Sequence, residues 1–559
     1  MKSKLELCAV AAALLLAIQV RGQQNGPEVV ACVDVGAMVR AVSHPDGGSV
    51  VPPLYAAHAR AAEMPVAKSA SQSLVAIDHD LLAQLVKDAA PGVEIRVDGT
   101  RFWISGAEAS VKAATVRLAA LRTALCAEVR IRVALVGRAP QKAVLTALET
   151  AAFLAEAPLI FAAEGVGRSD APFALRGGRV LPFVADYSVE VAQKSSISSP
   201  VVAHIRLGLR ATAAAYSLPN NKVLARVGGV YSEAPEAMRS FPAGDPLRFG
   251  EIQSPEPVST GMSGAAVLES GGSFVAGGTA AGGVWLVQAT RGGGPTGNDL
   301  HPVAGMIRNR FELTGLDSGI AGDPFDGLFT GDDGDEGSGA SPVAFENLLA
   351  LCASRFRTGE AGLTLTQSGL LVVKGTPEVK DEVGRLLPEL AETLLRNCAV
   401  ELRFGVVDAG KAAKLAAGTT DAALLPSGRM FATALAGERI RLFMGAENAF
   451  LSAAEAEIAQ ESSLLDPIVR VRFQGVVFEG VLDRDEAGLV GVTGRFSRRA
   501  EAGPPAASPR LSSGAALDLS GDDACDLRSS VAATPGAWKS FGSATVKDGV
   551  FVVMVRAEG

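Results

Sequence analysis

Gly261-Met262-Ser263-Gly264 is the stretch whose residue types come nearest to chemistry. A serine between glycines can act as a nucleophile when a base takes its proton and donors hold the oxyanion. His44, His58, His79 and His204 all precede it, so a base is present in kind. Cation binding is the second chemistry to weigh, because closely spaced carboxylates suit calcium. Asp332, Asp333, Asp335 and Glu336 form one such group, and Asp522, Asp523 and Asp526 another. Neither has EF-hand spacing, and the first reads as part of a solvated linker. Arg130 and Arg132 read as the wet face of a strand. No phosphate-binding loop, H-E-x-x-H or dinucleotide fingerprint occurs. No residue is therefore assigned to catalysis, a cofactor or a metal.

The elements that would position these residues follow from periodicity. Asp78 to Ala90 is predicted helical, with Leu81, Leu82, Leu85 and Val86 on one face. Val93 to Val97 and Phe102 to Ser105 are strands joined at Asp98-Gly99, a strong hairpin signal. A helix after Gly106 carries an apolar stripe of Val111, Ala114, Leu118, Leu121 and Leu125. Val129, Ile131, Val133 and Leu135 alternate with polar residues as in a half-exposed strand. The same order returns later: a helix Ala344 to Ser354, strands at Leu363 to Leu365 and Leu370 to Val373, a helix from Pro377, and a strand through Val400, Leu402 and Phe404. Pro388 should kink that helix or end a segment of it. Each α-β-β-α-β unit is followed by a β-rich stretch.

Short motifs recur at a spacing of about 267 residues. Ala192-Gln193-Lys194-Ser195-Ser196 precedes Pro200 as Ala459-Gln460-Glu461-Ser462-Ser463 precedes Pro467. Val75-Ala76-Ile77 matches Val343-Ala344-Phe345, and Val284 to Val287 matches Val550 to Val553. A period that long implies two copies of one architecture rather than a solenoid. It also tests Ser263, whose neighbourhood in the second copy reads as Ser512-Ser513-Gly514, without the first glycine. The expected fold class is α+β: two tandem copies of a small α-β-β-α-β module, each followed by a β-rich domain. The expected boundaries are 1–22 for a signal peptide, 23–72 for an N-terminal segment and 73–137 for the first module. A β-rich domain at 138–305, a linker at 306–341, a second module at 342–408 and a second β-rich domain at 409–559 follow.

Composition narrows the function. Charged residues are 20%, hydrophobic ones 48% and the net charge is -8, which describes a globular chain with no basic footprint for nucleic acid. Lys2, Lys4 and the apolar run Cys8 to Val20 read as an export signal ending at Gly22. No later apolar run reaches the length of a membrane-spanning helix. Cys32, Cys126, Cys352, Cys398 and Cys525 are widely spaced and contain no C-x-x-C. They read as small buried residues, with a disulfide after export as the alternative.

Two stretches carry a family resemblance. Leu370-Leu371-Val372-Val373-Lys374-Gly375-Thr376-Pro377-Glu378-Val379-Lys380 resembles the end of a secretin N-domain repeat. Val267-Leu268-Glu269-Ser270-Gly271-Gly272-Ser273-Phe274-Val275-Ala276-Gly277-Gly278 resembles the secretin core pattern, with Val284 to Val287 and Val550 to Val553 as its closing strands. Secretins are outer-membrane channels of type II and type III secretion and type IV pili. The resemblance implies an exported, non-enzymatic scaffold or accessory of such an apparatus, located in the periplasm or at the outer membrane. It also implies envelope protein partners and self-association. Secretins carry membrane and gate hairpins between the Gly-Gly turn and the last strand. Here only Thr279 to Gly283 intervenes, so those hairpins, and a channel, are expected to be missing. In the second copy the Gly-Gly neighbourhood reads as Asp522-Asp523-Ala524-Cys525. Two alternatives remain. Gly261-Met262-Ser263-Gly264 also resembles the nucleophile turn of trypsin-like and some sporulation serine peptidases, which would make the chain a secreted serine hydrolase using Ser263. The other is a surface- or carbohydrate-binding β module, disfavoured by 5% aromatics. N-terminal sequencing of protein recovered from the envelope should start at Gln23; an intact Met1 there would refute the export signal.

Overall fold

The computed structural model describes residues 28–35, 38, 79–169, 173–192, 195–233, 238–242, 251–292, 299–306, 362–366, 369–416, 425, 428–459, 462–484, 488–502 and 522–558. The export segment, His44, His58, the helix at Ala344, the Asp332 to Glu336 group, Cys352 and Ser512 to Gly514 lie outside these residues. So do the Val75 and Val343 motifs.

The first unit opens with β1 (Glu28–Asp34), α1 (His79–Ala89), β2 (Glu94–Asp98), β3 (Arg101–Ala107) and α2 (Glu108–Leu125). Gly99 takes φ +56° at the β2–β3 turn, a conformation that suits glycine. β3 pairs with β2 and, on its other edge, with β1 over seven residues. The apolar stripes of α1 and α2 bury Leu82, Leu85, Val111, Leu118 and Leu121 against Phe102 and Ile104. The order is thus β-α-β-β-α, with a first strand that the sequence does not signal.

The first β-rich region contains β4 (Glu128–Val136), β5 (Val144–Leu145), α3 (Ala147–Glu156), β6 (Leu159–Arg168), β7 (Phe173–Ala192), β8 (Ser195–Ser217) and β9 (Lys222–Glu233). It continues with β10 (Met238–Pro242), β11 (Glu251–Pro255), β12 (Val258–Glu269), β13 (Ser273–Gly278) and β14 (Val284–Gly292). β4, expected in the small module, belongs instead to a five-stranded sheet β5-β13-β14-β4-β6. Its inward residues Val129, Ile131, Val133 and Leu135 join Trp285 of β14 and pack with Leu209, Ala213, Ala225 and Val227 of β8 and β9, forming the core of a sandwich.

A short strand β15 (Leu300–Pro302) then pairs with β17 (Leu370–Lys374), whose other edge holds β16 (Gly362–Leu365). Residues 300–302, expected in the β-rich domain, therefore complete the second small sheet. Helix α4 (Pro377–Leu394) covers it through Val379, Val383 and Leu387. It does not end at Pro388: Leu387 and Ala391 on either side are both buried, and packing holds the turn that lacks one backbone N–H.

The second β-rich region has β18 (Asn397–Val407), α5 (Ala409–Ala416), β19 (Arg429–Leu435), β20 (Glu438–Ala459), β21 (Ser462–Arg484), β22 (Val490–Glu501), β23 (Asp522–Ala533), β24 (Trp538–Val546) and β25 (Gly549–Glu558). β18 again leaves the small module for the sandwich, pairing with β19 and β25. Cys398 is buried in β18, and Cys32, Cys126 and Cys525 are half-buried. A second core gathers Val400, Leu402, Phe404, Leu442, Phe478, Phe496 and Phe551.

One large sheet runs β23-β22-β21-β20-β12-β19-β18-β25-β24, with β9, β8 and β7 branching from β12. Its polar anchor is Glu401, whose side chain is wholly buried. Arg403 and Arg429 donate to Oε1 at 2.9 and 2.5 Å, and Arg556 donates to Oε2. Arg403 and Arg556 also stack on Trp538. Burial alone would raise the carboxyl's pKa, but the Arg429 and Arg403 bonds and the nearby positive charge hold it below its ordinary value. Glu401→Ala leaves three arginines facing a void, and should cost about 3 kcal/mol in urea unfolding. Stability from Glu401 is present above the ordinary carboxylate range and falls away as pH drops through its lowered pKa.

Candidate functional site

Three features stand out: two very long hairpins, the junction between the two sandwiches, and the outer strands that pair on one edge only among the described residues. The hairpins are β7–β8 and β20–β21, with strands of 20, 23, 22 and 23 residues. At ~3.3 Å per residue each arm is ~65–75 Å long. A tilted transmembrane strand needs only ~9–11 residues. The Thr279–Gly283 connection is, as expected, a tight turn, held by the bond from Thr279 N to Gly283 O. Hairpins of membrane length nevertheless exist elsewhere, so that short turn does not argue against a channel.

The recurring Ala-Gln-x-Ser-Ser motifs sit at the hairpin ends: Ala192 pairs with Ser195 and Ala459 with Ser462. Both hairpins carry a bulge, at Val184/Asp186 and at Leu451/Ala453. Both carry a facing glycine pair, Gly178 with Gly208 and Gly445 with Gly475. A Cβ on Gly178 would stand 1.8 Å from Leu207 O, and one on Gly445 2.2 Å from Gln474 O. Only glycine lets the two strands approach this closely. In a sequence rich in glycine these pairs carry no signal of their own, although their spacing is that of the other repeated motifs.

Ser263 lies inside β12, with Gly228 opposite it on β9, and not on a nucleophile turn. His204 is on β8, eight positions along from Thr212, which is the β8 partner of Gly228. That places it ~26 Å from the serine along the sheet. His79 belongs to α1 beside Phe102, and His301 to β15. The flanking glycines have a packing role. A Cβ on Gly261 would meet the Phe443 ring at 2.3 Å, and one on Gly264 would meet Thr433 O at 2.7 Å and the Phe274 ring at 2.9 Å. By strand position, the counterpart of this stretch is Asp526-Leu527-Arg528-Ser529, not Ser512 to Gly514. Likewise Gly542, at the β24 bulge, answers Gly277 at the β13 bulge, in place of Asp522 to Cys525.

The expected carboxylate cluster is already paired: Asp523 with Arg498 at 3.0 Å and Asp526 with Arg495 at 2.5 Å. No group of side chains suited to a metal occurs among the described residues. Arg130 is exposed and pairs with Glu164, as a wet strand face should. Trp285 is buried and Trp538 carries stacked arginines, whereas Trp103 of β3 is 40% exposed.

The junction is closed by β12 of the first sandwich and β19–β20 of the second. Val258, Ser259 and Thr260 pair with Ala446, Gly445 and Met444. Asn397 makes a two-way amide bond to Val267, and Thr433 Oγ1 donates to Val275 O at 2.7 Å. Arg226 pairs with Glu438 at 3.0 Å. On the face of the large sheet away from the sandwich core, Val230 packs with Phe443, Phe473 and Val477. Glu447 lies on the same side of β20 as Phe443. Burial raises its carboxyl to about 7, opposed only in part by the charge of Arg210. The β10–β11 hairpin braces both long arms, through Gln253 to Val184 N and Arg239 to Ala449 O.

The solved structures similar to this chain include secretins. The InvG secretin-domain β-barrel of the Salmonella SPI-1 injectisome is 9% identical, with TM-score 0.21, over 48% of this chain and 90% of that one. The V. cholerae type IV competence pilus secretin PilQ is 8% identical, with TM-score 0.18, over 52% and 81%. Aeromonas hydrophila ExeD is 10% identical, with TM-score 0.18, over 95% and 90%. No protein-family profile and no curated protein matches. A likeness at this level carries no argument, and function rests on the chain's own geometry. No described helix is long and apolar enough to cross a membrane, which leaves crossing by strands open.

Glu447 gives a pH test. Its folded pKa lies above the ordinary 4.5, so the folded state holds the extra proton between the two values. Stability should therefore fall by about 3 kcal/mol as pH rises from about 4.5 to about 7. In Glu447→Gln that slope should flatten in urea unfolding measured across the same range.

Proposed function

We propose that this chain is an exported, non-enzymatic, secretin-like structural component of a cell-envelope secretion or pilus apparatus, built as two tandem copies of one unit. The observation that carries the proposal is the pair of matched hairpins, alike in length, bulge, glycine pair and end motif. Matching at four independent positions along two strands supports duplication. The sandwiches agree strand by strand: β4, β6–β9 and β12–β14 stand in the order of β18–β25. Small α/β modules before each sandwich fit the same plan, with β1 at the edge of the first small sheet and β15 at the edge of the second. The long hairpins are then the envelope-facing parts, rooted in rigid sandwiches that hold them at a fixed spacing. Ser263, inside a strand, has no part in chemistry on this account.

Cell fractionation tests it. The full-length protein should be recovered with the envelope. A variant lacking residues 188–197 and 455–464 should keep its circular dichroism and shift to the soluble fraction. Full-length protein that is soluble in the cytoplasm, or a shortened variant that stays with the envelope, would refute the role given to the hairpins.

A further inference from the structure

A cavity of about 450 Å³ opens where the first sandwich meets the end of the second, and both supply its walls. Gln141 and Lys142, on the segment that leads into β5, stand on one side. Asn397 at the start of β18, Arg484 at the end of β21, Gly536 before β24 and Arg556 of β25 stand on the other. A volume of this order suits a small molecule, since such sites run to roughly 300–1,000 Å³. Three cationic side chains line it, and no carboxylate does so among the described residues. That is a local excess of positive charge in a chain whose net charge is -8.

The first sandwich fills the place that the second leaves open. Gly271 and Gly536 hold corresponding turns: their N–H groups donate to Ala289 O and Ala557 O at 2.7 and 2.8 Å, with φ +95° and +80°. Over Gly271 stands the start of α3, where a Cβ would lie 3.2 Å from the Ala147 Cβ, and Glu269 Oε1 accepts from Ala147 N. Over Gly536 a Cβ would meet nothing within 4 Å. The walls of the open site are already fixed. Arg484 Nη1 donates to Asn397 O at 3.2 Å, and no carboxylate pairs with Arg484 among the described residues. The Asn397 amide is itself held in both directions by Val267. Arg556 reaches the wall from the Glu401 cluster, where one carboxylate answers three arginines. Lys142 meets Glu149 at 2.7 Å, but with its side chain 68% exposed that pair is worth little and can be exchanged for a ligand.

We propose that this cavity binds the phosphate group of a small phosphorylated molecule, held by Arg484 from one wall and Lys142 from the other. A guanidinium offers a planar fork of donors and an ammonium a mobile point charge, and both suit phosphate oxygens. A phosphomonoester carries about -1.5 to -2 charges at pH 7, which answers several cations where a single carboxylate would answer one. The two contacts come from different sandwiches, so a bound ligand ties the halves of the chain together. The proposal goes beyond the envelope role and does not rest on it, since the cavity is the same wherever the chain resides.

Thermal unfolding and calorimetric titration of the full-length protein test it, with inorganic pyrophosphate as the probe. Pyrophosphate should raise the unfolding midpoint to a plateau, because it binds the folded state alone. Sodium chloride at matched ionic strength should not, which separates a site from general screening. Arg484→Ala should weaken pyrophosphate binding by about tenfold or more, the loss of a charge-assisted bond. Lys142→Glu, at an exposed position, should keep the native circular dichroism and weaken binding as much; it carries the test if Arg484→Ala, which also loses the bond to Asn397 O, fails to fold. Vesicles of phosphatidylcholine and phosphatidic acid distinguish the source of the phosphate. Vesicle binding that pyrophosphate competes away places it on a lipid headgroup, and pyrophosphate binding without vesicle binding places it on a soluble molecule. Absence of saturable binding, a shift equalled by chloride, or affinity unmoved in Lys142→Glu overturns the proposal.

Discussion

Strand β12 has to satisfy neighbours on both sides, and the arrangement of the two sandwiches depends on how it does so. On one edge it pairs with β9 along its full length. On the other it pairs with β20 for three residues, then touches β19 at Gly264. Backbone groups left unpaired in such a buried place would each cost free energy comparable to a lost hydrogen bond. The solution needs close approach on both faces of one strand. Gly261 yields to the Phe443 ring on one face and Gly264 to the Phe274 ring on the other. The motif that most resembles a catalytic turn is therefore a packing device, and a side chain at either glycine would push the two sandwiches apart.

Much of the architecture is legible in residue order. The Ala-Gln-x-Ser-Ser motifs mark two equivalent hairpin ends, and the stripes of α1 and α2 name their buried faces. Partnership is harder to read. The alternation in β4 and β18 shows strands, but nothing local says that they leave the small modules. β7 runs unbroken from Phe173 to Ala192 although Gly, Pro and Asp interrupt its sequence, because they are absorbed at the glycine pair and the bulge. β12 gives no local signal, since its Gly, Ser and Ala carry no alternation and only its neighbours make it a strand. Pro388 is tolerated because tertiary packing on both sides outweighs one missing backbone bond.

Two glutamates of the large sheet, Glu401 buried and Glu447 half-buried, answer to opposite demands. Glu401 sits among three arginines and is held ionised, so its stabilising effect belongs to neutral solution. Glu447 is half-buried with the charge of Arg210 too weak to offset its desolvation, so its neutral form fits the fold better. Both lie in the second half, one in the wall of the sandwich and one beside the junction. The first is an anchor of the sheet. The second ties stability to protonation, favouring the fold in mild acid over neutrality.

The facing glycines also set the mechanics of the long arms. Beyond Gly178 and Gly445 each arm runs on for about 14 residues, or ~45 Å, before it turns. A row without side chains is the point of least bending stiffness in such a ribbon, and the bulge beyond it adds twist. The glycine row is then a fulcrum, and the arm a lever. Each degree of rotation there carries the tip through about 0.8 Å, on that arm length. On that lever a rotation of a few degrees, too small to disturb the sandwich core, spans several ångströms at the far end, and β10–β11 bonds to both levers beyond their fulcrum.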